Sequence, residues 1–367
     1  MFTLLNYKNN NSFKYSIIPP NPRFTVDSLL LPSHIKKDPN ILYIEQYEPI
    51  SDNSLTLDLI NKIKNEFSHC NVLQFIVTDS PSITNDDWYT IPPSTKIADR
   101  SEFQIYNSLL QEFPLCKINF FNQQCLDLED YDIKWAAPTI NRYCRENYSI
   151  KPNITQISYK LSCLINRPQL ARTIFAALGL NLNCLTTYNS IFKDDSKIVS
   201  SAKFTSKKLK NLFNSNFMLA CKTYNKNKIF VDGNMKATLQ SHKLIQKGFC
   251  NVVIEDPVFG DWHLITEKTM KPMSCLRPFI LLSTPGALSW LRSQGFKTFS
   301  AWWDESYDDI TDHYKRIEKV YEIAELINSY SFYDLLEMYK SMQEVLLHNQ
   351  MFLKIFAEKS VSSLFPG

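Results

Sequence analysis

A chain of 367 residues, 44% hydrophobic and 21% charged, has the composition of a folded globular protein and is long enough for two domains. Forty basic against 37 acidic residues leave a formal charge of +3, which excludes a broad basic field for nonspecific nucleic-acid binding while leaving a local patch open. Nine cysteines without a CxxC pair argue against a zinc site or a disulfide framework and for a reducing compartment.

The first residues show neither the long apolar core nor the small-residue cleavage site of a signal peptide. No later segment approaches the ~18 uninterrupted apolar residues of a membrane span, so a cytoplasmic protein is expected. Phe13 to Ile18 and Ile41 to Ile44 are extended apolar patches, and Pro49 after Glu48 marks a strand leaving a sheet. Leu55, Leu57, Leu59, Ile60, Ile63 and Phe67 recur at helical spacing, and Val72 to Thr78 reads as a strand ending at Asp79. Strand, helix, strand predicts a βαβ unit and a parallel sheet, with Glu48 and Asp79 near carboxyl ends of strands. Residues 80–101 read as a long loop, followed by a helix from about Glu102 to Phe113 and a strand from Lys117 to Phe121. The acidic run Asp127 to Asp132 has the oxygen ligands that Mg²⁺ or Mn²⁺ takes. Its polar neighbours favour a solvated loop instead, and no metal site is assigned there.

A boundary is expected near 150–157, where Lys151-Pro152-Asn153 breaks the pattern. Tyr159 to Ile165 reads as a strand running into Asn166-Arg167-Pro168, and a helix carrying Leu170, Ile174, Phe175 and Leu178 ends at Gly179. Arg167 in that loop and Arg172 in the first helical turns are placed to face an anion above a sheet edge. Then come a short basic helix, Ser206 to Phe213, a helix from Met235 to Gln246, and a strand from Cys250 that ends in the two acids Glu255 and Asp256. Further on, a helix from Ala287 to Arg292, a short strand from Gly295 to Phe299, an aromatic and acidic loop at 302–308 and two amphipathic helices between Ile310 and about Phe356 are expected.

The richest stretch lies between these groups. Ile265 to Pro272 brings Thr266, Glu267, Lys268, Thr269 and Lys271 to the opening turn of a helix, and the apolar run Pro278 to Leu282 follows as a buried strand. A helix N-terminus presents free N–H groups and positive dipole to an anion, and Lys268 and Lys271 add mobile positive charge, so a diphosphate suits the place. The same residues equally suit an exposed helix start capped by Thr266 or Thr269. Only seven glycines occur, the first at Gly179, so neither a P-loop nor a GxGxxG turn exists in the first half. A bound nucleotide must therefore be held by side chains and a helix terminus.

Two blocks resemble a known family. Leu161 to Pro168 with Arg172 forms one. The other joins Ile265-Thr-Glu-Lys-Thr-Met-Lys-Pro272, Arg277 to Ile280, Gly295 to Phe299 and Asp304 to Asp308. They look like glycosyltransferases of phages, large viruses and marine bacteria, whose second block is similar to the TEK element of α-1,3-fucosyltransferases. The resemblance implies an α/β, GT-B-like fold: two Rossmann-like domains facing a cleft, with C-terminal helices. An acceptor-side domain would span 1–155, a nucleotide-sugar domain 156–312, and helices packing across both 313–367.

It also implies that Glu267 holds the ribose hydroxyls while Lys268 and Arg172 neutralise the diphosphate. Arg167 and Lys271 join this set by proximity and charge, and Asn166 and Thr266 of the two blocks are counted with the nucleotide-sugar-binding residues. Glu48 and Asp79 are candidate bases, ahead of His34 and His263. The expected reaction moves a sugar from a nucleotide-diphosphate donor to a glycan hydroxyl with inversion, without a metal or other cofactor. One alternative acceptor is a hydroxylated base in DNA, with Lys203 to Lys210, Phe204 and Phe213 as its footprint. A second alternative is a noncatalytic glycan-binding protein. Met273 to Phe279 departs from the fucosyltransferase pattern, so neither fucose nor GDP is implied.

Overall fold

The computed structural model describes residues 3–8, 12–17, 41–46, 53–77, 101–122, 133–135, 140, 143–144, 157–165, 169–188, 202–226, 241–255, 258 and 265–362. Its framework separates into two units, Met1–Ser82 with Pro93–Glu146 and Phe356–Gly367, and Ile83–Pro92 with Asn147–Ile355.

The first unit is built on a six-stranded sheet of β1 (Thr3–Lys8), β2 (Ser12–Ile17), β3 (Ile41–Gln46), β4 (Val72–Val77), β5 (Lys117–Asn122) and β6 (Ile133–Trp135), in the order β2-β1-β3-β4-β5-β6. Only the β1–β2 pair is antiparallel; β1–β3, β3–β4, β4–β5 and β5–β6 run parallel. The βαβ unit read from the sequence is present, with α1 (Asn53–Glu66) between β3 and β4 and α2 (Ser101–Glu112) before β5. Alternation puts Leu42, Ile44, Leu73, Phe75 and Phe120 into one core with Leu59, Ile63, Ile105 and Leu109 of the helices. The Phe120 ring stacks on Phe75 and Tyr106 at 5.4 and 4.9 Å. Strand β1 and the three-residue β6 had no clear pattern of their own.

The second unit carries a four-stranded, all-parallel sheet of β7 (Tyr159–Ile165), β8 (Cys184–Tyr188), β9 (Gly248–Ile254) and β10 (Phe279–Leu282), in the order β10-β9-β7-β8. Every residue of β9 and β10 is buried, the continuous apolar habit of strands covered on both faces. The helix α3 (Leu170–Leu178) is buried along its whole length. The basic helix is far longer than its sequence suggested, running as α4 from Lys207 to Lys226. Next come α5 (Glu267–Ser274) and α6 (Ala287–Gln294), the latter held between Gly286 (φ 81°) and Gly295 (φ 108°), where a left-handed backbone favours glycine.

Two expectations fail here. Residues 295–299 form no strand; they run without regular structure, braced by Asn349, which accepts from Lys297 N–H and donates to Lys297 O at 2.8 Å each. The C-terminal region is three helices and not two: α7 (His313–Ser329), α8 (Phe332–Ser341) and α9 (Gln343–Ser362). A capping box between Ser331 and Asp334 starts α8, and the break at Met342 divides what apolar spacing alone joins.

Two α/β units on mainly parallel sheets, followed by helices, give the GT-B-like class expected. Among the described residues no helix is long and apolar enough to cross a membrane.

Candidate functional site

The order of the second sheet fixes where a ligand would sit. From β7 the chain moves to β8 on one side and then returns to β9 on the other, so strand order reverses between β7 and β9. Ligands of open α/β sheets occupy the carboxyl ends of the strands at such a switch point. Helix α3 follows β7 and carries Arg172; α5 lies beyond β9 and opens with Thr266, Glu267 and Lys268.

Glu255, the first residue after β9, is fully buried and organises the start of α5. Its Oε1 accepts from Thr266 N–H at 2.9 Å and from the Thr269 hydroxyl at 2.6 Å. Its Oε2 accepts from the Thr266 hydroxyl at 2.7 Å and from the Lys268 ammonium at 3.2 Å. Four donors thus fill the four acceptor positions of one carboxylate. Thr266 is also the N-cap of α5, its oxygen accepting from Lys268 N–H at 3.2 Å and from Lys268 Nζ at 3.1 Å. The side chain of Lys268 remains 33% exposed. Of the three N–H groups of its ammonium, two are engaged by Glu255 and Thr266, and among the described residues the third has no partner.

Arg172 comes to the same strand end from the other helix. Its Nη2 donates to Ile254 O, on the last residue of β9, at 3.4 Å. The side chain is buried, yet among the described residues it has no acidic partner and no second hydrogen bond. Two other buried arginines show the contrast. Arg277 donates to Gly248 O, Gln246 O, Leu276 O and the Tyr339 hydroxyl, while Arg316 donates to Ile310 O and Val258 O. Arg277 commits four of its donors in this way and Arg316 two, its Nη2 also lying 3.1 Å from His313 Nδ1. Among the described residues Arg172 spends one of the five its guanidinium carries.

Glu267 and Lys271 face each other along α5 instead, with Nζ to Oε1 at 3.6 Å and the Glu267 side chain 38% exposed. Partial burial opposes ionisation of Glu267, but the charge of Lys271 and then that of Lys268 outweigh it and hold the carboxyl at about 2. The Glu267 carboxylate is therefore charged at neutral pH. Burial, and next the charge of Lys271, lower the nearby His242 to about 4, so that imidazole is neutral there.

Of the residues predicted from sequence, Thr266 and Lys268 gather on the Glu255 carboxylate just after β9, Arg172 donates to the Ile254 carbonyl that ends β9, and Glu267 pairs with Lys271 on α5. Glu48, Asp79, Asn166 and Arg167 lie outside the described residues, as do His34, His263 and the acidic run 127–132. Glu255 was visible only as one of two acids ending a strand; its place in the network depends on the approach of α5.

The footprint suggested for DNA changes character. Phe213 is fully buried, and Phe204 packs on Phe213 and Tyr314 at centroid distances of 5.4 and 6.4 Å, so these rings are core and offer no stacking platform. Lys203, Lys207, Lys208 and Lys210 are exposed. The acidic and aromatic block at 304–308 is scaffold: Asp308 accepts from Leu288 and Ser289 N–H at the start of α6, and the Tyr307 hydroxyl accepts from Leu281 N–H on the edge strand β10.

No family model and no curated protein matches the sequence. Among solved structures, the DNA-modifying enzyme β-glucosyltransferase, studied with and without uridine diphosphoglucose, is 13% identical, with 89% of this chain and 83% of that chain covered and a TM-score of 0.43. A T4 phage BGT mutant with UDP-glucose is 12% identical, covering 88% and 82%, at 0.41. T4 phage BGT with UDP and Mn²⁺ is 13% identical, covering 88% and 81%, also at 0.41. Scores of this size assign no function to the chain. The expectation of a reaction without a metal is withdrawn, because Mn²⁺ accompanies UDP in the last of these structures. Among the described residues no group of three or more His, Cys, Asp or Glu side chains could hold such an ion, and Glu255 is committed to its four donors. These residues build no protein cage for a divalent cation, an ion that commonly takes phosphate oxygens beside one or two carboxylates.

Proposed function

We propose that the chain is a nucleotide-sugar glycosyltransferase that grips the donor diphosphate at the carboxyl ends of β7 and β9 and transfers the sugar to a hydroxylated base in DNA. One observation carries the donor half of this reading: a buried guanidinium, Arg172, that has no counter-ion among the described residues, at the same strand end as Lys268, whose ammonium has one N–H without a partner among those residues. A buried charge is costly unless paired, and an anionic ligand supplies the missing pair.

Glycosyl transfer breaks the bond between the anomeric carbon and phosphate, and negative charge grows on the departing diphosphate. Donors fixed in advance where that charge develops lower the barrier without reorganising. Arg172 and Lys268 serve the diphosphate in this scheme. Glu267 accepts from the ribose hydroxyls, Lys271 keeps it ionised, and Asn166 and Arg167, directly after β7 in sequence, complete the donor side. Glu48 and Asp79, each two residues past the end of its strand, β3 and β4, are the proposed bases for the acceptor hydroxyl.

DNA replaces the glycan first expected as acceptor, supported by the exposed Lys203, Lys207, Lys208 and Lys210 on the donor-side unit. The structurally similar DNA-modifying β-glucosyltransferase gives the acceptor class to try first. A panel of UDP-, GDP-, CMP- and dTDP-sugars, with and without Mn²⁺, should contain one that raises the melting temperature, since a ligand at a hundred times its Kd adds about 2.7 kcal/mol. The same donor should then label duplex DNA bearing hydroxylated bases. A flat panel would remove the donor half; labelling of glycans but not of DNA would remove the acceptor half. Reversing the charge of Lys207, Lys208 and Lys210 should flatten the salt dependence of DNA binding by about 0.9 in log–log slope for each phosphate no longer neutralised.

A further inference from the structure

We propose that Glu255 is the residue that positions the Lys268 ammonium for a diphosphate, holding it by one N–H while Thr266 holds a second, so that the third stays directed to a ligand oxygen. The inference rests on the diphosphate reading above and extends it to a residue that touches no substrate.

Three observations support this role. Glu255 is fully buried, so its carboxylate has no solvent to satisfy it and depends on the donors it gathers. Those donors all come from the first residues of α5: Thr266 through backbone and hydroxyl, Lys268 through its ammonium, and Thr269 through its hydroxyl. A lysine side chain otherwise has four freely turning bonds, and immobilising it before the ligand arrives removes that ordering loss from the binding step. The arrangement also divides the charge. Glu255 offsets Lys268, whereas Arg172 has no acidic partner among the described residues, so the net positive charge awaiting the anion is that of Arg172. Lys268 contributes direction, and Arg172 contributes charge.

The proposal concerns the diphosphate and not the base attached to it, so the probe is inorganic pyrophosphate, its Kd measured by calorimetry on the full chain. The wild type, Glu255→Gln, Lys268→Met and the double variant form a cycle. Each single change should weaken pyrophosphate about tenfold, and the double variant should bind no more weakly than Lys268→Met alone, because Glu255 acts through Lys268. Multiplying losses in the double variant, or wild-type affinity in Glu255→Gln beside weakened Lys268→Met, would overturn the positioning role alone. Wild-type protein blind to pyrophosphate, or Lys268→Met as tight as wild type, would overturn the diphosphate reading and this inference with it. Glu255→Asp guards against a variant that merely unfolds. It keeps the charge but draws it back by one methylene, so its affinity should fall between wild type and Glu255→Gln. A purely structural role would leave the affinity of folded Glu255→Asp at the wild-type value, and that result would also refute the proposal.

Discussion

Replacing Arg172 by methionine should make the empty protein more stable and the loaded protein much weaker. The side chain is buried, its one hydrogen bond is a 3.4 Å contact to Ile254 O, and among the described residues no carboxylate balances it. Exchanging buried ions for apolar side chains of similar volume often stabilises by roughly 1–4 kcal/mol. Here little is lost in return, because one backbone carbonyl gives up one long hydrogen bond. A unit of this size melts about 2–4 °C higher for each kcal/mol gained. Charge-assisted bonds to a diphosphate contribute about 1.5–3 kcal/mol each, so losing one weakens the nucleotide roughly ten- to 150-fold. Arg277→Met is the control, since it removes the hydrogen bonds to Gly248 O, Gln246 O and the Tyr339 hydroxyl. At about 1–3 kcal/mol for each buried group left unsatisfied, Arg277→Met should destabilise strongly. Melting curves of both variants, with and without nucleotide-sugar, decide the matter. If Arg172→Met melts below the wild type without ligand, as Arg277→Met should, then Arg172 is a structural arginine and the site loses its foundation.

Three further outcomes follow from the same structure. Asp308→Ala should cost about 1–2 kcal/mol by freeing Leu288 and Ser289 N–H at the start of α6, read as a lower urea midpoint with unchanged slope. Gly248→Ala should destabilise by about 1–3 kcal/mol, because a Cβ there would lie 2.6 Å from Ser162 Oγ and 3.0 Å from Ser162 N on the neighbouring strand β7; an unchanged melting point would show that β9 can move away. His242 has its pKa lowered from 6.5 to about 4 in the folded protein, so the unfolded chain binds the extra proton between those values. Stability should fall as pH drops from 6.5 towards 4, by at most about 1.4 kcal/mol per pH unit from this residue, and His242→Phe should lack that component in pH-dependent melting.

Much of the fold was legible before any coordinate, because it rests on local period. Alternation in Val72–Val77 and helical recurrence from Leu55 to Phe67 announce themselves in windows of a dozen residues, and their succession calls for a parallel sheet. The start of α5 was readable too, since Thr266 caps it by a contact only two residues long. The placement of Arg172 and of Lys268 beside the end of β9 could be expected as well, each lying just beyond a strand in sequence. The pattern failed where packing overrides it: Gly295–Phe299 has the composition of a strand but no partner, and the apolar spacing of the last helices conceals the stop at Met342.

The sequence by itself determined which elements form and which side chains stand at their ends, because period, caps and breakers act over a few residues. Tertiary structure alone decided which of those side chains are spent. Glu255 is saturated because α5, a dozen residues on, returns to the end of β9. Arg172 keeps most of its donors because Ile254, 82 positions away in sequence, brings it a carbonyl, and no described residue brings it a carboxylate. Hydrogen-bond saturation depends on which long-range neighbours arrive, and nothing in a local stretch of chain records that.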